Sequence, residues 1–186
     1  MPEKKPSIHK TILILIMVFL PPFFLVFTDE GARLSDTALL WLLGKAEVRV
    51  NIKELDDRFT RGDIKTLYSD VEWHCGEQRT PFGDNLCTGA IGTFNGYPAQ
   101  VLNLYFRGDN LSGMKMIYRD QYHAQIQGYL IGQLGQPDNV EEAVREGPDA
   151  AEVIEWRLPG GILVMKKELN EGDEPSLLWL ATPAGA

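Results

Sequence analysis

The feature that most limits the fold of this chain is an uncharged apolar stretch near its amino terminus. The range Thr11–Phe27 reads TILILIMVFLPPFFLVF and contains no charged residue. A bilayer core about 30 Å thick needs roughly 20 helical residues, and about 17 is the lower limit. The sequence therefore predicts a transmembrane helix over residues 11–28. Pro21 and Pro22 should kink it, because proline interrupts helical hydrogen bonding.

A cleaved signal peptide is the alternative reading, because a basic start followed by an apolar run is typical of both. The residues that follow, VFTDEGA, place bulky or charged side chains where a cleavage site needs small ones. We therefore expect an uncleaved anchor, and the cleaved form stays open as the alternative.

The charges that flank the apolar stretch predict its orientation. Lys4, Lys5 and Lys10 precede it, and Asp29 and Glu30 follow it. Basic residues remain on the cytoplasmic side of such anchors. We expect an inner-membrane protein with its amino terminus in the cytoplasm and the rest of the chain in the periplasm or outside the cell.

Net charge argues against a nucleic-acid ligand. Beyond residue 27 the chain carries 15 basic and 25 acidic side chains. A domain with this balance repels phosphate backbones and anionic lipid head groups. We predict a membrane contact through residues 11–28 and a protein partner, with no nucleic acid.

The predicted organisation has five parts. They are a cytoplasmic amino terminus (1–10), the anchor (11–28), a juxtamembrane short helix (29–44), an extracytoplasmic α+β domain (45–182) and a frayed tail (183–186).

Hydrophobic periodicity predicts an α+β fold for the domain. Alternating apolar residues predict strands over 88–94, 101–106, 111–118, 152–158, 162–167 and 177–180. A four-residue apolar repeat predicts a helix over 121–134, and short helices are expected between residues 51 and 68. We read residues 137–151 as a loop. The expected architecture is a twisted antiparallel sheet of about five to six strands with helices on one face.

This layout resembles envelope-assembly lipoproteins of the BamE kind, in which short helices precede an antiparallel meander. No function is carried over from this resemblance.

The juxtamembrane helix is expected to run from Asp36 to Leu43 behind an N-cap at Ser35. Its sequence DTALLWLL is too apolar for an isolated exposed turn. It lies either on the membrane surface, with Trp41 at head-group level, or packed into the domain. The candidate residues for contact with a partner or with the membrane surface are Leu39, Leu40, Trp41 and Leu43.

Cys75 and Cys87 are the two cysteines of the chain. Because they fall in the predicted extracytoplasmic part, where disulfides persist, we predict a structural disulfide between them. A metal site with His74 and His123 is disfavoured, since the spacing matches no common zinc motif and oxidation would consume both sulfurs. We predict no metal and no cofactor.

The function is predicted to be non-enzymatic. The sequence contains no GxSxG, GxxxxGK[ST], HExxH or GxGxxG motif. The leading hypothesis is a protein-interaction or accessory module of an envelope complex. The alternative is a small-ligand or lipid-binding domain with a cleft between helix 121–134 and the sheet, lined by Tyr122, Tyr129 and Trp156. An enzyme of unrecognised type is a third possibility.

Overall fold

The computed structural model describes residues 8–142 and 152–182 of the chain. The helices are α1 (Ile8–Phe27), α2 (Asp29–Leu42), α3 (Arg61–Leu67) and α4 (His123–Leu134), with 3-10 turns at Ile52–Glu54 and Asp120–Tyr122. The strands are β1 (Glu47–Val48), β2 (Trp73–Thr80), β3 (Gly83–Ala90), β4 (Thr93–Phe94), β5 (Tyr97–Arg107), β6 (Asn110–Tyr118), β7 (Asn139–Glu142), β8 (Glu152–Leu158), β9 (Gly161–Lys166) and β10 (Ser176–Ala181).

The sheet consists of two antiparallel meanders that join at β6 and β10. Along its main path the order is β2, β3, β5, β6, β10, β9, β8 and β7, and every one of these neighbours is antiparallel. At one corner β4 pairs with the start of β5, and β1 runs parallel to β4. The parallel pair makes the sheet mixed rather than purely antiparallel.

One face of the sheet forms the core, because apolar side chains recur at every second position of its central strands. Their register places Leu102, Met116 and Leu177 side by side on β5, β6 and β10. Ile126 and Leu130 of α4 are buried in the same cluster, together with Ile52 and Ile64 from the segment before β2. The helices of the domain therefore cover the face that sequence periodicity predicts to be apolar.

Local hydrogen bonds explain where several elements begin and turn. Thr60 and Asp63 form a reciprocal capping box at the start of α3, which satisfies backbone N–H groups that the first helical turn leaves without partners. The pKa of the Asp63 carboxyl is lowered by its bond from the Thr60 hydroxyl. Asn95 and Gly96 both have positive φ, as the tight turn between β4 and β5 requires.

The α+β class is confirmed, while several finer predictions need correction. The described residues hold ten strands instead of five or six. β2 was not predicted, because its exposed, largely polar sequence gives no alternating signal. β7 occupies part of the stretch 137–151, which was predicted to be a loop. The expected helix after Asn51 is a single 3-10 turn.

The juxtamembrane helix is longer than predicted. It begins at Asp29, and Thr28 rather than Ser35 is its N-cap, accepting a hydrogen bond from the Gly31 N–H at 3.0 Å. The Ser35 hydroxyl bonds within the helix, to the carbonyl of Ala32.

Within the described chain, no helix taken alone has the length and apolarity needed to cross a bilayer. Ile12–Leu25 and Asp29–Leu42 meet those criteria as a pair, and a bend of 81° separates them. A transmembrane helix over residues 11–28 therefore stays a prediction.

Candidate functional site

Helix α2 is fastened to the domain through Arg33. Its Nη1 donates to the carbonyl oxygen of Gly96 at 2.9 Å, and its guanidinium lies 4.9 Å from the centre of the Tyr97 ring. The same guanidinium pairs with Glu30 at 2.8 Å, one turn earlier on α2. Arg33 thus joins α2 to the turn between β4 and β5.

Asp36 provides a second attachment one turn further along α2. Its carboxylate accepts the Tyr122 hydroxyl at 2.5 Å and pairs with Arg119 at 3.1 Å. Burial raises the pKa of Tyr122, and the bond to the Asp36 carboxylate adds to that effect. Gln125 of α4 also donates to the carbonyl of Asp29, at 3.2 Å. These contacts hold α2 against the start of α4.

The opposite side of α2 exposes apolar side chains. Leu34, Ala38, Trp41 and Leu42 form what we call the apolar stripe. Their exposed fractions include 47% for Leu34 and 78% for Trp41. Leu39 and Leu43 are also exposed. Of the four residues that the sequence predicted as a contact surface, Leu40 is the exception, since it is half-buried on the domain side.

Gly31 permits the sharp elbow between α1 and α2. A Cβ atom at this position would lie 2.1 Å from the carbonyl oxygen of Phe24 and 2.7 Å from the Cα of Leu25. No side chain fits there, so the two helix backbones touch directly. The chain bends by 81° at this elbow, and Thr28 is the single residue between α1 and α2.

The aromatic residues predicted to line a ligand cleft belong to the packed interior. Tyr122 and Trp156 are 1% and 2% exposed, and the Trp156 indole donates to the carbonyl of Gly135 at 3.0 Å. Tyr129 packs against Tyr97, with 5.1 Å between ring centres. The void between α4 and the sheet measures about 10 Å³, too little for a ligand. The predicted cleft is closed in this structure.

The disulfide between Cys75 and Cys87 is confirmed. The two residues face each other across the β2–β3 pair, with their Cα atoms 4.0 Å apart. Cys87 is buried against the core, whereas Cys75 is exposed. The segment between them is a hairpin formed by β2 and β3. The bond therefore ties the edge strand β2 to the body of the sheet.

A tyrosine–histidine pair links β6, α4 and the end of β9. The Tyr118 hydroxyl lies 2.8 Å from His123 Nδ1, and His123 Nε2 lies 3.2 Å from the carbonyl oxygen of Lys167. Because a carbonyl only accepts, Nε2 carries the proton and Nδ1 accepts from Tyr118. Burial raises the pKa of Tyr118. The Tyr118 hydroxyl and the His123 ring therefore both have hydrogen-bond partners within the domain.

Titratable side chains elsewhere in the described ranges are spread out. No group of three or more His, Cys, Asp or Glu residues gathers into a potential metal site there. The tripeptide RGD occurs at residues 61–63 and 107–109. The two copies are joined by an ion pair, since Arg61 Nε lies 2.9 Å from Asp109 Oδ1. An open cleft of about 500 Å³ is lined by Asp57, Phe82 and Arg107 among others.

No protein-family model, curated protein or solved structure matches this chain. The candidate site is therefore argued from its geometry alone.

Sequence reasoning identified the apolar half of α2 but missed the residues that orient it. Arg33 and Asp36 have the local sequence of solvent-exposed charges, because their partners Gly96 and Tyr122 lie far away in the chain. The helical spacing of Arg33, Asp36 and Leu40 was the available signal for a second contacting face.

Proposed function

We propose that this chain is a membrane-anchored accessory protein whose extracytoplasmic α+β domain engages a protein partner at the membrane surface. The observation that supports this proposal is that Arg33 and Asp36 attach α2 to the domain. Helix α2 directly follows the apolar helix α1 in the chain. A domain attached in this way stays next to the bilayer and binds partners close to the membrane surface.

Several features of α1 support its role as the anchor. Within it Thr11–Phe27 carries no charged residue, and an uncharged stretch of this length is at the lower limit for a bilayer core about 30 Å thick. The large hydrophobic side chains that the structure describes along α1 are exposed, and the exposed fraction of Met17 is 72%. A continuous apolar surface of this kind is unfavourable in water. Lipid is the environment in which such a surface is stable.

The proposed orientation is supported by charge and by sulfur chemistry. Lys4 and Lys5 precede α1 and Lys10 lies in its first turn, which favours a cytoplasmic amino terminus. The disulfide between Cys75 and Cys87 favours an oxidising compartment for the domain. In a bacterial cell that compartment is the periplasm.

An accessory role is favoured over catalysis by the way polar groups are used in the described residues. His123 and Tyr118 satisfy each other, and Asp36 holds α2 in place. Arg33 is likewise committed to the β4–β5 turn. These groups therefore build the scaffold of the domain.

The proposal is tested by affinity enrichment of the full chain from native membranes. The Arg33→Ala/Asp36→Ala variant keeps α1 and the disulfide but releases the domain from α2. We expect recovery of the partner to fall at least fivefold. Ser35→Ala is the matched control, since Ser35 bonds within α2. An identical partner set for wild type and the double variant would contradict the proposal. Digestion of the domain by protease added to spheroplasts tests the orientation separately.

A further inference from the structure

The two faces of α2 can be assigned from helical spacing. At about 3.6 residues per turn, Arg33, Asp36 and Leu40 share one face, which is the side that contacts the domain. Leu34, Ala38 and Leu42 follow one another at intervals of four on the other side, with Trp41 beside them. The apolar stripe therefore points away from the domain.

Gly31 shows on which side of α2 the helix α1 lies. Gly31 precedes Ala38 by two full turns, so it lies on the same side as the apolar stripe. Its missing Cβ faces the backbone of Phe24 and Leu25 in α1. Helix α1 thus leaves α2 from the side that carries the stripe, while the domain occupies the opposite side.

The angle between the helices completes the geometry. If α1 enters the bilayer near its normal, as the proposed function requires, the 81° bend lays α2 close to the membrane plane. The stripe then faces the lipid, because α1 departs from that same face. Helices of this kind bury an apolar face at the boundary between head groups and acyl chains.

The chemistry of the stripe fits neutral lipid. From Thr37 to Leu42 α2 has no charged residue, and its charges lie in the first turn or on the domain side. Tryptophan concentrates at membrane–water interfaces, which suits Trp41 with its 78% exposure. The acidic domain adds no electrostatic attraction to anionic lipid, so apolar contact has to provide the binding.

We propose that α2 is a membrane-surface helix whose apolar stripe, Leu34, Ala38, Trp41 and Leu42, is immersed in the outer interface of the bilayer. This inference rests on the proposed function, since it needs α1 in the membrane. It assigns the stripe to lipid and leaves the protein partner to other surfaces of the domain. The α1–α2 elbow then sets the height and tilt of the domain above the bilayer.

The test places the full chain in phosphatidylcholine nanodiscs whose acyl chains carry bromine at shallow or deep positions. Trp41 emission is taken as the difference between wild type and Trp41→Phe, which removes the signal of Trp73, Trp156 and Trp179. We expect shallow bromines to quench this component at least twofold and deep bromines to quench it less. Leu34→Gln/Leu42→Gln should reduce the quenching by about half, whereas Leu67→Gln, at an exposed leucine outside α2, should leave it unchanged.

Two results would overturn the inference. Quenching of Trp41 by aqueous iodide but not by bromolipid would place the stripe in water. Protection from both quenchers would show a protein cover, from a second copy or a partner. Flotation of the chain with lipid after an alkaline carbonate wash separates the two proposals. If the chain floats and Trp41 is unquenched, only the surface-helix assignment fails, whereas loss of flotation refutes the anchor and this inference together.

Discussion

Reduction of the Cys75–Cys87 disulfide should loosen the outer part of β2 while the rest of the sheet keeps its structure. Among the described strands β2 pairs with β3 alone. Its side chains beyond Trp73 are mostly exposed and add little to the core. The amino-terminal end of β2 is held by a contact that does not involve the disulfide, because the Trp73 indole donates to the carbonyl of Tyr68 at 3.2 Å. The disulfide therefore restrains residues 76–80 together with the β2–β3 ladder and the hydrogen bonds of the Thr80 hydroxyl.

The size of the effect follows from the length of chain that the bond closes. The two cysteines are 12 positions apart. In the chain-entropy model a loop of this size is stabilised by about 3 kcal/mol. Since about 1.4 kcal/mol corresponds to a factor of ten, opening of the hairpin should become roughly 100-fold more frequent on reduction.

Hydrogen–deuterium exchange measured by mass spectrometry checks this prediction on the full chain in detergent micelles. Amides of residues 76–80 should exchange roughly 100-fold faster with reductant. Those of β10, which is paired on both sides, should be unaffected. The Cys75→Ala/Cys87→Ala variant is the control and should not respond to reductant. Acceleration below about threefold in β2 would refute the reasoning, because the disulfide would then not stabilise the hairpin. Equal acceleration in β10 would also refute it, because the disulfide would then stabilise the whole fold.

Three further changes test the contacts that build the domain, each by urea unfolding of the full chain. Thr60→Ala removes the α3 cap and should cost about 1 kcal/mol, whereas Thr66→Ala, inside the same helix, should cost less. Asp36→Ala leaves the buried Tyr122 hydroxyl without its acceptor and should cost about 1–3 kcal/mol; Asp36→Asn, which retains an acceptor, should recover part of the loss. The raised pKa of Tyr118 gives stability that is fully present below about pH 10 and is lost as the pH rises through its folded value. Tyr118→Phe should therefore lose less stability between neutral and strongly alkaline pH, and equal losses in both proteins would contradict this.

Sequence periodicity was most informative where a strand has one buried and one open face. The strand predicted over 152–158 agrees with β8, and 177–180 lies within β10. Helix 121–134 contains α4, whose buried Ile126 and Leu130 produced the repeat. In these segments the burial of one face imposes a pattern on neighbouring residues, so the pattern can be read locally.

Other elements left no such pattern. β2 lies at the edge of the sheet with both faces largely in solvent, so nothing selects apolar residues at alternate positions. The polar contacts of α2 were equally invisible, because Arg33 and Gly96 are 63 residues apart and Asp36 and Tyr122 are 86 apart. A charged side chain that finds a distant partner has the same local sequence as one that faces water.

The sequence by itself determined the α+β class, the central strands, the helix before the second meander and the disulfide, because each depends on local spacing or on the count of one residue type. The tertiary structure alone decided which face of α2 meets the domain, that Gly31 lets α1 turn away on the opposite side, and that the expected ligand cleft is filled. The docking of α2 and the filled cleft depend on which distant surfaces come together when the apolar face of the sheet is buried, and no local pattern records that choice.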